Sequence, residues 1–150
     1  MTNNDALRGI RYLLNVSDAK IVEISALGGQ TVSLEDVQAY LRAEEEPGYV
    51  ACPHSVMARF LNGMVTFKRG PDDSRPPAPV ETPVTNNQIL KKLRVAFELK
   101  DVDLIRLIEK SGTLKITPTE LSSFFRKPDH RNYRPCGDQY LRNVLKALSL

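Results

Sequence analysis

The chain carries one pattern twice, and that duplication limits what it can fold into more than any other feature. Thr2-Asn3-Asn4 opens a stretch that returns from Thr85-Asn86-Asn87. Leu7, Arg11, Leu14, Asp18, Ile21, Ile24 and Gly29 recur at a spacing of 83 as Leu90, Arg94, Phe97, Asp101, Leu104, Leu107 and Gly112. One inserted residue then shifts the frame. At a spacing of 84, Val32, Ser33, Val37, Tyr40, Leu41, Arg42, Tyr49, Cys52, Met57, Phe60, Leu61 and Met64 return as Ile116, Thr117, Leu121, Phe124, Phe125, Arg126, Tyr133, Cys136, Leu141, Val144, Leu145 and Leu148. Whatever one copy folds into, the other must fold into as well. The 150 residues therefore split into two units of about 65, a size that is marginal alone and gains from docking.

Each copy reads as four helices. Leu7, Ile10 and Leu14 fall on one stripe, as do Leu90, Leu93 and Phe97, which is helical periodicity. Thr85 with Gln88 fits a capping box, and Asp5, shorter than Gln88, predicts a weaker box in the first copy. Asp18 and Asp101 are candidate N-caps of a second helix, buried through Ile21, Ile24 and Leu27 or Leu104, Leu107 and Ile108, and ended near Gly29 and Gly112. Thr117-Pro118-Thr119-Glu120 combines cap, first-turn proline and third-position glutamate, and so starts helix three; Ser33 does the same in the first copy. A fourth helix follows Cys52-Pro53 or Cys136-Gly137-Asp138. No stretch alternates in the strand manner.

Between the copies, residues 70–84 hold five of the ten prolines and almost no large apolar side chains. The expected boundaries are a first repeat over 1–70, a proline-rich linker over 71–85 and a second repeat over 86–150. Extended, the linker would reach about 45 Å.

Charge separates the copies. Residues 1–70 carry 7 basic and 8 acidic side chains, whereas residues 86–150 carry 13 and 7, so the second repeat is +6 and the first −1. The excess concentrates after helix three, where Arg126, Lys127, His130, Arg131, Tyr133 and Arg134 follow Phe124 and Phe125. Cations interleaved with an aromatic can neutralise phosphates and stack on a base. The matching first-copy loop holds Glu44, Glu45 and Glu46. Three readings fit: a nucleic-acid surface, docking of the acidic loop on the basic one within or between molecules, or two solvated loops.

Other chemistries have less behind them. Helices two and three follow the helix-turn-helix order, with Gln38 and Arg42 or Ser122, Ser123 and Arg126 on the reading helix, but the connections are longer than that motif's turn. Cys52, His54, His130 and Cys136 could be drawn as a zinc site, yet the two corners have unequal spacing. A disulfide between the cysteines is disfavoured in a reducing cytoplasm. No phosphate-binding glycine loop, HExxH, GxSxG or paired Cys and His motif is present, so no catalytic residue is expected.

The opening TNND, the stretch NVSDAKIVEISALGG, EPGYVAC with FLNG and KRG, and FFRKPDHRNYRPCGDQYLRNVLK together resemble the bacterial YehS-like family of small cytoplasmic proteins. The likeness spans essentially the whole chain. It implies a duplicated, mainly helical protein and brings no catalytic residue, substrate or cofactor with it. Cys52-Pro53-His54 departs from the family pattern, which tends to an acidic or polar helix cap there.

The sequence thus predicts an all-α protein, a tandem duplication of a four-helix unit whose copies pack as a pseudo-symmetric pair. The expected role is non-catalytic binding of an anionic partner, RNA or DNA, through Arg126, Lys127, Arg131, Tyr133 and Arg134, without cofactor or metal. The alternative is a protein-interaction or self-assembly module that sets Glu44, Glu45 and Glu46 against the basic loop. The opening residues lack the apolar stretch of a signal peptide, and no apolar run approaches the roughly 18 residues of a spanning helix. A cytoplasmic protein with no membrane partner is therefore expected.

Overall fold

The computed structural model describes residues 1–110 and 112–149. Among them there are eight helices and no strand: α1 (Asn3–Leu14), α2 (Asp18–Leu27), α3 (Leu34–Leu41), α4 (His54–Arg69), α5 (Asn86–Ala96), α6 (Asp101–Glu109), α7 (Pro118–Phe124) and α8 (Asp138–Leu148). The chain divides into two compact units, Met1–Val84 with α1 to α4 and Thr85–Leu150 with α5 to α8. An all-α tandem duplication is what the repeated sequence pattern required.

Local chemistry sets where the helices begin. Thr2 Oγ1 accepts from Asp5 N–H at 3.0 Å while the Asp5 carboxylate accepts from Thr2 N–H at 3.1 Å, and Thr85 with Gln88 repeats the pair at 3.2 and 3.0 Å. The box in the first copy is complete, because aspartate at the third position, though shorter than Gln88, still reaches the cap. Ser33 with Asp36 and Thr117 with Glu120 close the same box for α3 and α7.

Asp18 and Asp101 are not caps. Ser17 caps α2 through Lys20 N–H at 3.1 Å, and Lys100 stands at the cap of α6, so each aspartate is the first helical residue. Their carboxylates meet the arginines that recur with them, Arg11 Nε to Asp18 at 2.8 Å and Arg94 Nη2 to Asp101 at 3.1 Å. At this exposure such a pair, which bridges consecutive helices, contributes at most about 1 kcal/mol. Gly29 and Gly112, at φ +85° and +82°, turn the chain out of α2 and α6 in the left-handed region that glycine tolerates.

In the first unit Leu7, Ile10, Ile21, Ile24, Val37, Met57, Phe60, Leu61 and Met64 form the core; in the second, Leu90, Leu93, Leu104, Ile108, Leu121, Leu141 and Val144 do so. Leu27 departs from expectation at 52% exposure, since α2 presents Ser25 rather than Leu27 to its neighbours. That face is held tight against α4. A Cβ added at Gly63 would lie 1.9 Å from the Ile24 carbonyl oxygen, and one at Gly28 would lie 1.7 Å from that of Arg59. Only glycine permits helices to approach this closely.

The first unit also binds the proline-rich stretch. Asn62 Nδ2 donates to Pro79 O at 3.2 Å, and Val84 N–H donates to His54 Nδ1 at 3.0 Å. His54 itself begins α4, whose N-cap, Pro53, offers no side-chain cap.

The repeated asparagines have a structural purpose that helix periodicity does not reveal. Asn4 is buried, and its Nδ2 donates to Tyr40 O at 3.0 Å and Val50 O at 2.8 Å while its Oδ1 accepts from Cys52 N–H at 2.9 Å. Asn87 does the same with Phe124 O at 3.0 Å, Arg134 O at 2.8 Å and Cys136 N–H at 2.9 Å. The preceding residue completes the clamp, Asn3 on Cys52 O at 3.0 Å and Asn86 on Cys136 O at 2.9 Å. Each TNN opening thus ties the first helix of a unit to the end of its third helix and to both sides of the loop that leads into its fourth. In the second unit that loop is the basic one.

Candidate functional site

The loops 42–50 and 126–134 share a backbone frame. In the first, Glu46 N–H donates to Ala43 O, Tyr49 N–H to Glu46 O and Val50 N–H to Ala39 O; in the second, the equivalent bonds run from His130 to Lys127, Tyr133 to His130 and Arg134 to Ser123. Equal frames carry opposite charge, with three glutamates in one and four cations in the other.

The basic loop forms one wall of a groove of about 410 Å³. Thr119, Glu120, Ser122 and Ser123 of α7 line one side, and Arg126, Arg131, Asn132, Tyr133 and Arg134 line the other. Four of the five residues expected to meet an anion thus come together on one concavity. Lys127, the fifth, is exposed beside it but does not line it. Arg126, Arg131 and Arg134 are exposed, and none of the four cations forms an ion pair among the described residues. The single carboxylate in the lining among the described residues, Glu120, is bound to Thr117 N–H at 3.4 Å in the α7 cap.

The aromatics sort themselves by packing. Phe124 is buried against Tyr140, ring centroids 5.4 Å apart. Phe125 has its face under the Arg94 guanidinium, 4.7 Å from the ring centroid. Tyr133 alone turns to the groove, half-buried, on a backbone held by His130 O at 2.9 Å and, one residue on, by Ser123 and Asn87. Thr119, Glu120 and Asn132 join the lining without having been expected from the sequence; Thr119 and Ser122 at a spacing of three on one short helix are the available signal.

The same position in the first unit is arranged differently. Arg42 Nη1 donates to Gly48 O at 3.1 Å, and Gly48, at φ +84°, leaves room for it, since a Cβ there would lie 2.1 Å from that nitrogen. The second unit has Asn132 in place of Gly48, without positive φ, and Arg126 makes no such bond. Arg42 is spent on its own loop, whereas Arg126 faces the groove. Of the acidic residues, Glu46 accepts from Ala43 N–H at 3.1 Å, while Glu44 and Glu45 are exposed.

The cysteines carry no accessible chemistry. Burial pushes the Cys52 thiol up to about 12, and burial together with the nearby Asp138 carboxylate does the same for Cys136. Cys52 Sγ lies 3.7 Å from Pro53 O, and Cys136 Sγ 3.6 Å from Gly137 O. Among the described residues no group of three or more His, Cys, Asp or Glu side chains is placed to hold a metal ion, and no helix is long and apolar enough to cross a membrane.

Residues 3–70 and 86–150 match a family described as a protein of unknown function, DUF1456. The chain is 40% identical over 149 residues to the uncharacterized protein YehS of Escherichia coli (strain K12), covering 99% of this chain and 95% of that protein. No solved structure matches it.

Proposed function

The chain belongs to the DUF1456 family, and from that premise we propose that it is a non-catalytic protein that binds nucleic acid, RNA or DNA, through the groove of its second repeat. The observation that carries this reading is the convergence of Arg126, Arg131 and Arg134 with Tyr133 on one concavity, each guanidinium free of a carboxylate partner among the described residues. Arginine offers paired donors in a fork that matches phosphate, and clustered cations raise the local positive potential that draws an anion in. The first repeat, with Arg42 turned onto Gly48 and glutamates around it, supplies no equivalent.

Titration of the full chain into labelled RNA and DNA across a salt series tests this. Binding whose log affinity falls with log salt at a slope of about −2 to −4 is expected for three or four phosphate contacts. Replacement of Arg126, Lys127, Arg131 and Arg134 by Ala should abolish it. No binding at about 50 mM salt refutes the proposal.

The exposed Glu44 and Glu45 on an equivalent frame favour a second reading, in which the acidic loop of one molecule meets the basic loop of another. Concentration-dependent mass that falls when Glu44, Glu45 and Glu46 become Gln would support it, and an unchanged monomer would exclude it.

A further inference from the structure

We infer that the groove selects unpaired strands, seating a short run of single-stranded nucleic acid with one base stacked on Tyr133 and the flanking phosphates on Arg126, Arg131 and Arg134. This rests on the proposed nucleic-acid reading and narrows its substrate class. Three features carry it.

The first is size. A concavity of about 410 Å³ is in the range of small-molecule pockets, roughly 300–1,000 Å³. It can enclose a nucleotide-sized group but cannot receive the convex face of a duplex.

The second is the absence of a reading element. Base readout in a B-form major groove takes a projecting helix or ribbon. α7 has 7 residues, of which Leu121, Ser123 and Phe124 are buried, and its exposed Thr119 and Ser122 form a wall of the concavity rather than a ridge. Double-stranded RNA is held by contacts spread over about 16 base pairs. Here the four cations lie within nine residues, 126–134.

The third is Tyr133. Among the described residues it is the one aromatic lining the groove, and its backbone is fixed on both sides by hydrogen bonds to His130 and Ser123 and by the Asn87 clamp. An aromatic side chain on an anchored backbone beside cations is the arrangement by which single strands are bound, bases on aromatic faces and backbone on positive charge. A base can use that face only when it is unstacked from its neighbours, and in a duplex it is not.

The test is competition by fluorescence anisotropy with the full chain, using a labelled RNA strand of about 12 nucleotides and the same strand annealed into a blunt duplex. Single-strand affinity at least about tenfold above duplex affinity is expected, with Tyr133→Ala weakening the single strand by about 5- to 150-fold at unchanged salt slope and Tyr133→Phe retaining it. The wild-type comparison needs no variant and so does not depend on how Tyr133→Ala folds. Duplex binding equal to or tighter than single-strand binding, or a folded Tyr133→Ala that binds as wild type, overturns the inference while leaving the basic groove as a nucleic-acid site. Failure of both probes to bind overturns the nucleic-acid reading itself.

Discussion

Replacing Asn87 by Ala removes a buried side chain that makes three hydrogen bonds of ordinary length, 3.0 Å to Phe124 O, 2.8 Å to Arg134 O and 2.9 Å from Cys136 N–H. At about 1 kcal/mol net per bond the loss is about 3 kcal/mol, and it rises toward 5 where the orphaned backbone groups stay dry. A unit of about 65 residues has only about 3–10 kcal/mol in total, so the second unit should be left near the edge of folding. Asn4→Ala removes the matching bonds at 3.0, 2.8 and 2.9 Å and should cost the first unit a similar amount. Urea unfolding followed by far-ultraviolet circular dichroism reads this directly. With a slope near 1 kcal/mol/M for so small a unit, the transition of the affected unit should fall by about 3 M or more.

The two variants should then differ in function. Asn87 holds the carbonyl of Arg134 and the amide of Cys136, so its loss loosens the wall of the groove, whereas Asn4 holds the equivalent groups of the first unit, Val50 and Cys52, beside the acidic loop. Under conditions where both variants remain folded, nucleic-acid affinity should drop for Asn87→Ala and stay near wild type for Asn4→Ala. A stability loss below about 1 kcal/mol in both would refute the clamp as an energetic feature. Equal affinity loss in both would refute its local role at the groove.

Gly63→Ala should lower the melting temperature, because the new methyl would lie 1.9 Å from Ile24 O and α2 must shift to admit it, at about 1–3 kcal/mol or more; a variant that melts at or above wild type would show that the helices are not held this close. Both thiols should resist alkylation in native protein at pH 8 and react on unfolding, since burial raises each to about 12; rapid native labelling would contradict their burial. The same shift gives a sign for stability. The thiols' contribution is complete below their unfolded value near 9, and it is lost as pH rises from there towards 12, because the unfolded chain releases protons that the folded one retains.

Much of the helical framework is legible in the residues because it depends on neighbours within one turn. Thr2 with Asp5, Thr117 with Glu120 and Gly29 after α2 are contacts or conformations spanning three or four positions, and the chain shows them as spacing. That the shorter Asp5 still closes its box, and the role of Asp18, escape such a reading for a related reason. Whether a short carboxylate reaches its cap, or turns to Arg11 instead, depends on side-chain direction rather than on residue type.

At the site, the order of residues alone specifies the duplication, the charge contrast between loops 42–50 and 126–134, and the side chains able to meet an anion. Folding selects which of them converge: Arg126, Arg131, Tyr133 and Arg134 line the groove, Lys127 stands aside, Phe125 is covered by Arg94, and Arg42 is taken by Gly48. It also gives Asn4 and Asn87 their partners, backbone groups 36 to 49 residues away. Spacing of three or four reports on one helical turn, whereas a clamp or a groove exists only once loops have closed and brought distant carbonyls and cations within reach of the same few ångströms.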